Sequence, residues 1–205
     1  QSFGVPESYN RDLLPEIGFS EGDIALFQIT RIVERKGIEV AIDLMERLED
    51  PRVKLVITGS AADDERKGYF KQLVDRVAQK KLGERVRFAY HRILSERGNT
   101  FGGRKIYSLS DAYANAVACT YFSTYEGFGN AFLEGVLARR PVFVNNYKPV
   151  FWPDIGSKGF KVVMLEENEL TDEAVAEVDE ILHDGDLRRE IAEHNFKLGR
   201  EHFSF

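Results

Sequence analysis

The stretch Ala118-Cys-Thr-Tyr-Phe-Ser-Thr-Tyr-Glu-Gly-Phe-Gly-Asn-Ala-Phe-Leu-Glu-Gly-Val-Leu-Ala138 constrains the fold more than any other. Its first residues are apolar enough for a strand buried on both faces, Gly127 and Gly129 mark a turn, and a helix starts at Asn130 or Ala131. A buried strand that feeds a helix belongs to a parallel sheet, because a parallel neighbour is reached only through a crossover. Asn130 suits the cap of that helix, since its side-chain oxygen can accept from a first-turn N–H. Glu134 then lies near the helix start with its carboxylate leaning back toward the N-terminus. Two carboxylates, Glu126 and Glu134, and the amides from Gly127 to Asn130 would face one crevice at the positive end of a helix dipole. An anion such as a diphosphate fits there, leaving the carboxylates to accept hydrogen bonds from hydroxyl groups. Either glutamate alone would be an ordinary solvated charge.

The rest of the chain repeats the same unit. Short apolar strands are predicted at Asp23–Thr30, Val53–Thr58, Val86–Ala89, Ala116–Phe122, Pro141–Asn145 and Phe160–Leu165. Helical spacing runs over Ile38–Leu48 and over Tyr69–Lys81, where Phe70, Leu73, Val74 and Val77 form the core face. Further helices are expected around Lys105–Ser110, over Thr171–Leu182 and over Leu187–Phe203, with Thr171 and Asp186 as caps and Gly185 as the break. Residues 1–22 have a loop composition with one helical turn at Arg11–Leu14. The pattern is α/β, a Rossmann-like doubly wound parallel sheet with ligands at the carboxyl ends of its strands. At 205 residues the chain can bury roughly 70% of its unfolded surface as one domain, residues 1–205.

Composition removes whole classes of function. A net charge of −6 argues against nucleic acid as the main partner, without excluding a local basic pocket. No run of about 18 apolar residues marks a membrane span. Cys119 is the single cysteine, so no intrachain disulfide forms, and a packed thiol in a reducing, cytoplasmic compartment is expected. No second histidine lies at ligand spacing from His91, and no metal site is expected. The N-terminus lacks the features of a signal peptide and does not begin with Met, as in a piece of a longer chain.

The loop after the first strand, Arg31-Ile-Val-Glu-Arg-Lys-Gly37, carries cations where a dinucleotide-binding unit carries glycines. Arg31 can fork onto phosphate oxygens and Lys36 offers a compact ammonium, whereas Arg35 is assigned to the surface. Together with Glu126-Gly-Phe-Gly129 and Leu133-Glu134, two glutamates seven residues apart on a strand-to-helix turn, this chain resembles the retaining GT-B glycosyltransferases of family 4, the glycosyl transferases group 1. The resemblance extends over about residues 1–203. It implies the C-terminal, donor-binding half of a GT-B enzyme, whose N-terminal acceptor domain and returning helix are absent.

On that resemblance, Arg31 and Lys36 hold the diphosphate of a nucleotide-sugar donor. Glu126 meets the sugar hydroxyls and stands as the catalytic residue. Gly127, Phe128, Gly129 and Asn130 offer amides to sugar and phosphate, and Glu134 takes the ribose diol. The segment Tyr90, His91, Arg92, Ile93 and Leu94 lines the base pocket. No cofactor and no metal are implied. Three departures stand out: Thr30 replaces a frequent glycine, Asn146–Gly156 replaces a glycine pair and Pro-Glu, and Ser95–Arg104 is longer than usual, as a surface insertion would be. Trp152 in the second of these segments is assigned to local packing. The function implied is transfer of a sugar to an unknown acceptor, with a non-catalytic nucleotide-binding module or a nucleotide-sugar epimerase of the same fold as the alternatives.

Overall fold

The computed structural model describes residues 3–60, 68–147 and 149–203. Gln1, Ser2, Lys148 and the last two residues, on which parts of the reading above fall, lie outside it. The strands are β1 (Ile24–Gln28), β2 (Val53–Ile57), β3 (Val86–Phe88), β4 (Gly98–Asn99), β5 (Lys105–Ile106), β6 (Ala118–Tyr121), β7 (Val142–Asn145) and β8 (Val163–Leu165). Six of them form one parallel sheet in the order β3-β2-β1-β6-β7-β8, while β4 and β5 pair antiparallel as a separate hairpin. Strand order therefore reverses between β1 and β6, where Leu26 stands opposite Ala118 and Phe27 opposite Cys119. Ligands of doubly wound sheets bind in the crevice that such a reversal opens at the carboxyl ends of the strands.

Helices cover both faces, which is why the strands are apolar nearly throughout rather than alternating. Ala25 and Phe27 point to one face and meet α1 (Leu13–Glu16) and α4 (Leu109–Asn115) through Leu13, Leu14 and Tyr113. Leu26, one residue out of phase, points to the other face. There it joins α2 (Ile38–Arg47), α3 (Gly68–Gln79) and α6 (Asp172–His183) through Ile42, Leu73 and Leu182. A third cluster packs α5 (Asn130–Leu137) on β7 and on a π-helical turn, Phe151–Ile155, with Phe132, Val144 and Phe151 at its centre. The last helix, α7, spans Gly185–His202.

Several boundaries differ from the sequence reading for identifiable reasons. The stripe of α3 facing α2 is Tyr69, Leu73 and Val77, and Val74, one position round the helix, is 40% exposed. Lys105 and Ile106 are not helical but close the hairpin, and α4 starts three residues later. Its start is set by a capping box in which the Ser108 hydroxyl accepts from the Asp111 N–H and the Asp111 carboxylate accepts from the Ser108 N–H. Thr171 caps α6 as expected, by accepting from the Ala174 N–H at 3.1 Å. The cap of α7 is Asp184, accepting from the Leu187 N–H at 3.0 Å, and not Asp186. Gly185 thus becomes the first residue of that helix.

Candidate functional site

Two loops meet at the reversal point, one leaving β1 and one leaving β6. Gly37 sits in the left-handed region at φ 62°, and a β-carbon there would lie 2.1 Å from the Phe122 carbonyl oxygen. Only glycine permits that approach. The neighbouring contacts lock the register: the Thr124 N–H donates to the Arg35 carbonyl at 2.8 Å. The fully buried Gln28 accepts from the Thr120 hydroxyl at 2.6 Å and donates to the Lys36 carbonyl at 3.4 Å. On the far side, Asn145 from β7 donates to the Ser123 carbonyl at 2.9 Å.

This framework brings Glu126 onto the cations of the first loop. Its Oε1 accepts from Lys36 Nζ at 2.5 Å and from the Ser123 hydroxyl at 2.9 Å. Its Oε2 lies 3.2 Å from Arg35 Nη1, which also donates to the Tyr125 carbonyl at 3.1 Å. Lys36 and Glu126 are each 8% exposed, so the pair is nearly desolvated. Burial acts first on Glu126 and raises its pKa, but the bonds from Lys36 and Ser123 and the Lys36 charge outweigh it and hold the carboxyl below its ordinary range. Lys36 is also lowered, first by burial, which outweighs the pull of Glu126, and further by the charges of Arg35 and Arg31. Glu126 therefore pairs with two cations, and with the charge of Arg31 acting on Lys36 the cluster carries an excess of positive charge.

Beside the cluster, α5 points its N-terminus at the same loop. Its cap is Gly129 rather than Asn130, at φ 124°, and no side chain bonds to the first turn. Gly129 is squeezed from beneath: a β-carbon there would fall 1.9 Å from the hydroxyl oxygen of Tyr147, which donates to the Phe128 carbonyl at 2.6 Å. The Phe128 ring turns away and meets Phe203 edge-on at 5.6 Å, so this residue presents its backbone to the loop. Glu134 is half-buried on α5 and accepts from the Tyr113 hydroxyl at 3.3 Å. Burial raises its pKa, and the Tyr113 bond opposes that. Tyr121, under the turn, lies with its ring 5.8 Å from Lys36 Nζ.

A sequence profile of the glycosyl transferases group 1 matches residues 10–198. The chain belongs to this family. The mannosylglucosylglycerate synthase of Thermotoga maritima is 34% identical over 97% of the chain and 49% of that protein. The Petrotoga mobilis protein of the same name is 32% identical over 78% of the chain and 39% of its own length. The chain thus spans about half the length of the curated relatives it matches. Its fold matches GT-B structures: the crystal structure of Anabaena Alr3699/HepE in complex with UDP-glucose superposes over 98% of the chain and 50% of HepE, with TM-score 0.72 and 19% identity. A Rickettsia africae glycosyltransferase superposes over 98% of the chain and 48% of its own, with TM-score 0.73 and 15% identity.

Within this group 1 glycosyltransferase fold, the expected site residues do not all come together. Lys36, Glu126 and the start of α5 converge, with exposed Arg31 close enough for its charge to act on Lys36. The segment after β3 is divided. Tyr90 and exposed His91 lie at the surface, with the Tyr90 ring edge-on to Phe70 at 5.8 Å. Arg92 is buried and donates to the Lys105 and Glu16 carbonyls at 2.8 and 3.2 Å, so its guanidinium ties the hairpin to α1. Ile93 is a core residue and Leu94 is 42% exposed. Arg35, assigned to the surface from sequence, is bonded to Glu126. Ser123 and Tyr121 were not singled out, and only their place just before the Glu-Gly-Phe-Gly turn could have flagged them; Tyr147 lies in the Asn146–Gly156 segment but was not singled out within it. Trp152 is 51% exposed, while Phe151 and Ile155 do the packing expected of that segment. No group of residues that could hold a metal ion occurs among the described residues. Nor is any described helix long and apolar enough to cross a membrane.

Proposed function

We propose that this chain is the donor-binding, C-terminal half of a retaining glycosyltransferase that moves a sugar from a nucleoside-diphosphate sugar to an acceptor. The observation that carries the reading is the cationic excess of Arg31, Arg35 and Lys36 around the single carboxylate Glu126, set against the uncapped N-terminus of α5. A diphosphate is the dianionic group that such a site neutralises. HepE, of the same fold, has been crystallised with UDP-glucose, and the relatives in Thermotoga and Petrotoga are synthases of a mannosyl compound.

On this reading Arg31 and Lys36 bind the diphosphate. Its charge competes with Glu126 for Lys36, and the carboxylate so released accepts from the sugar hydroxyls. Glu134 takes the ribose diol, the amides from Gly127 to Asn130 meet sugar and phosphate, and Tyr90, His91 and Leu94 border the base. As the glycosidic bond to phosphate breaks, the same cations and the helix dipole stabilise the leaving diphosphate, so no cofactor is required. A cytoplasmic location fits the buried thiol of Cys119, whose pKa burial pushes up to about 12. A thermal-shift panel of UDP, GDP and ADP, each with and without an attached hexose, tests the reading, because a specific ligand raises apparent stability by mass action. No shift with any of them would overturn it.

A further inference from the structure

A cavity of about 550 Å³ lies at the edge of the sheet opposite the Lys36–Glu126 pair. Asp23, Val117 and Pro141, which border it, each stand just before a parallel strand, β1, β6 or β7. These strands are four or five residues long, so roughly 15 Å separates the cavity from the carboxyl ends. Its cations are Arg139, Arg140, Arg188 and Arg189. Exposed Arg139 lies 3.5 Å from Glu193, and exposed Arg189 is paired with Asp186. Of the other lining carboxylates, Asp23 is held by Lys54 at 3.3 Å and Glu21 is exposed to solvent.

Arg140 and Arg188 differ from the outer pair. Both are half-buried, and among the described residues their hydrogen bonds go to carbonyls alone. Arg140 Nε donates to the Tyr113 carbonyl at 2.9 Å, and its Nη2 to those of Gly4 and Ala114 at 3.4 Å each. Arg188 Nη1 donates to the Ile181 and Leu182 carbonyls at 3.0 and 2.7 Å. Capping the last turns of α4 and α6 explains these bonds. It leaves Arg140 Nη1 and both Nε and Nη2 of Arg188 without an acceptor among the described residues. Burial pushes the pKa of Arg140 below its ordinary value, as expected for a cation whose lost hydration no anion replaces.

We infer that this amino-end cavity binds a phosphate dianion, free or as the head of a small monoester, on Arg140 and Arg188. The site and its test are independent of the donor reading. Charge selects the ligand: once the pairs above are set aside, two guanidiniums face the single exposed carboxylate of Glu21, and a phosphate monoester carries about −1.5 to −2 charge at pH 7. Geometry agrees, because tetrahedral oxygens can accept from the unused N–H groups of two guanidiniums at once. The volume lies within the range of small-molecule sites. Leu14, Ala116 and Ala192 supply an apolar wall for the carbon skeleton of an ester.

Nuclear magnetic resonance titrations of the isotopically labelled chain with inorganic phosphate and with glycerol 3-phosphate, against sodium chloride and succinate at matched ionic strength, test this. Both phosphates are expected to shift the amides of Val117 and Ala192 and the Nε–H resonances of Arg140 and Arg188, and to do so equally in Lys36→Ala. Tighter binding of glycerol 3-phosphate would assign a monoester, and equal binding free phosphate. Arg188→Gln should weaken either ligand at least tenfold. Arg189→Glu, at an exposed helix position, brings a carboxylate to the cavity without removing a buried bond, and should do the same with little risk to folding. The inference fails if about 20 mM of either phosphate, well above a millimolar Kd, shifts none of these resonances. It also fails if chloride or succinate reproduces the shifts, if Lys36→Ala abolishes them, or if a folded Arg188→Gln and Arg189→Glu both titrate as the parent does.

Discussion

Lys36 Nζ and Glu126 Oε1 lie 2.5 Å apart across the point where strand order reverses, joining the loop after β1 to the loop after β6. The pair is nearly buried, yet its charges do not cancel, because Arg31 and Arg35 add to the cationic side. A ligand anion completes what Glu126 alone cannot. Lys36→Ala or Arg31→Ala should therefore weaken a nucleoside diphosphate by about 1–3 kcal/mol, the range for hydrogen bonds to charged groups, and hardly touch the nucleoside. Equal losses for both ligands in calorimetry would refute the diphosphate role.

The two glutamates should separate by ligand. Glu134→Ala is expected to impair every ligand that carries the ribose, including the bare nucleoside diphosphate, by about 1–3 kcal/mol. Glu126→Ala should cost affinity only for the sugar-bearing donor. It also frees Lys36 and Arg35, so the bare diphosphate should bind as well or more tightly. Parallel losses for both ligands in both variants would end this division of roles.

How much of this was legible beforehand depends on whether local chemistry or long-range contact decided each position. The turn at Glu126, the strand alternation and the cap at Thr171 are local patterns, and they stand where the sequence put them. The role of Arg35 was hidden because its partners, the Tyr125 carbonyl and the adjacent Glu126, sit on the loop after β6, with Tyr125 90 positions away in the chain. Arg92 fails in the opposite sense. Its place in the segment after β3, which the family resemblance assigns to the base, made it a pocket residue, but the hairpin and α1 supply carbonyls that its buried guanidinium satisfies. Ser108 with Asp111 is a local capping signal that starts α4 at Leu109 rather than at Lys105.

The contact between Gly129 and Tyr147 makes a stability prediction. Gly129→Ala puts a β-carbon against the Tyr147 hydroxyl at φ 124°, and should destabilise by about 1–3 kcal/mol through strain and overpacking. Tyr147→Phe alone loses one hydrogen bond, about 1 kcal/mol. The double variant removes the atom that clashes, so chemical denaturation should find it more stable than the sum of the single changes. Simple additivity would mean that backbone strain, not the hydroxyl, sets the cost.

His183 at the end of α6 gives a pH signature away from the site. Its Nε2 lies 2.8 Å from Asp50 and its Nδ1 2.8 Å from the Asp179 carbonyl, and these bonds raise its pKa, with Asp50 first. The folded state thus holds the proton more tightly than the unfolded chain. The resulting stabilisation is fully present below the unfolded value near 6.5 and is lost as pH rises through the folded value. Because the ring is partly exposed, the effect should be modest, about 0.2–1 kcal/mol. Melting curves from pH 6 to 9 should show the parent losing stability relative to His183→Gln; parallel curves would exclude the linkage.

The chain by itself should bind donor without transferring sugar. The sheet has its own cores on both faces, so independent folding is expected. Transfer asks for more, because an acceptor hydroxyl must be held about 3–3.5 Å from the anomeric carbon in a site kept from bulk water, and such positioning can lower a barrier by roughly 7–11 kcal/mol. The chain spans 49% of its Thermotoga relative. On this account the opposite wall belongs to the remaining half of such a protein. Saturable nucleotide-sugar binding with turnover near the uncatalysed rate is the expected result for the purified chain. Robust transfer that disappears in Glu126→Ala would mean that these residues hold a complete acceptor site, and the two-halves reading would have to be given up.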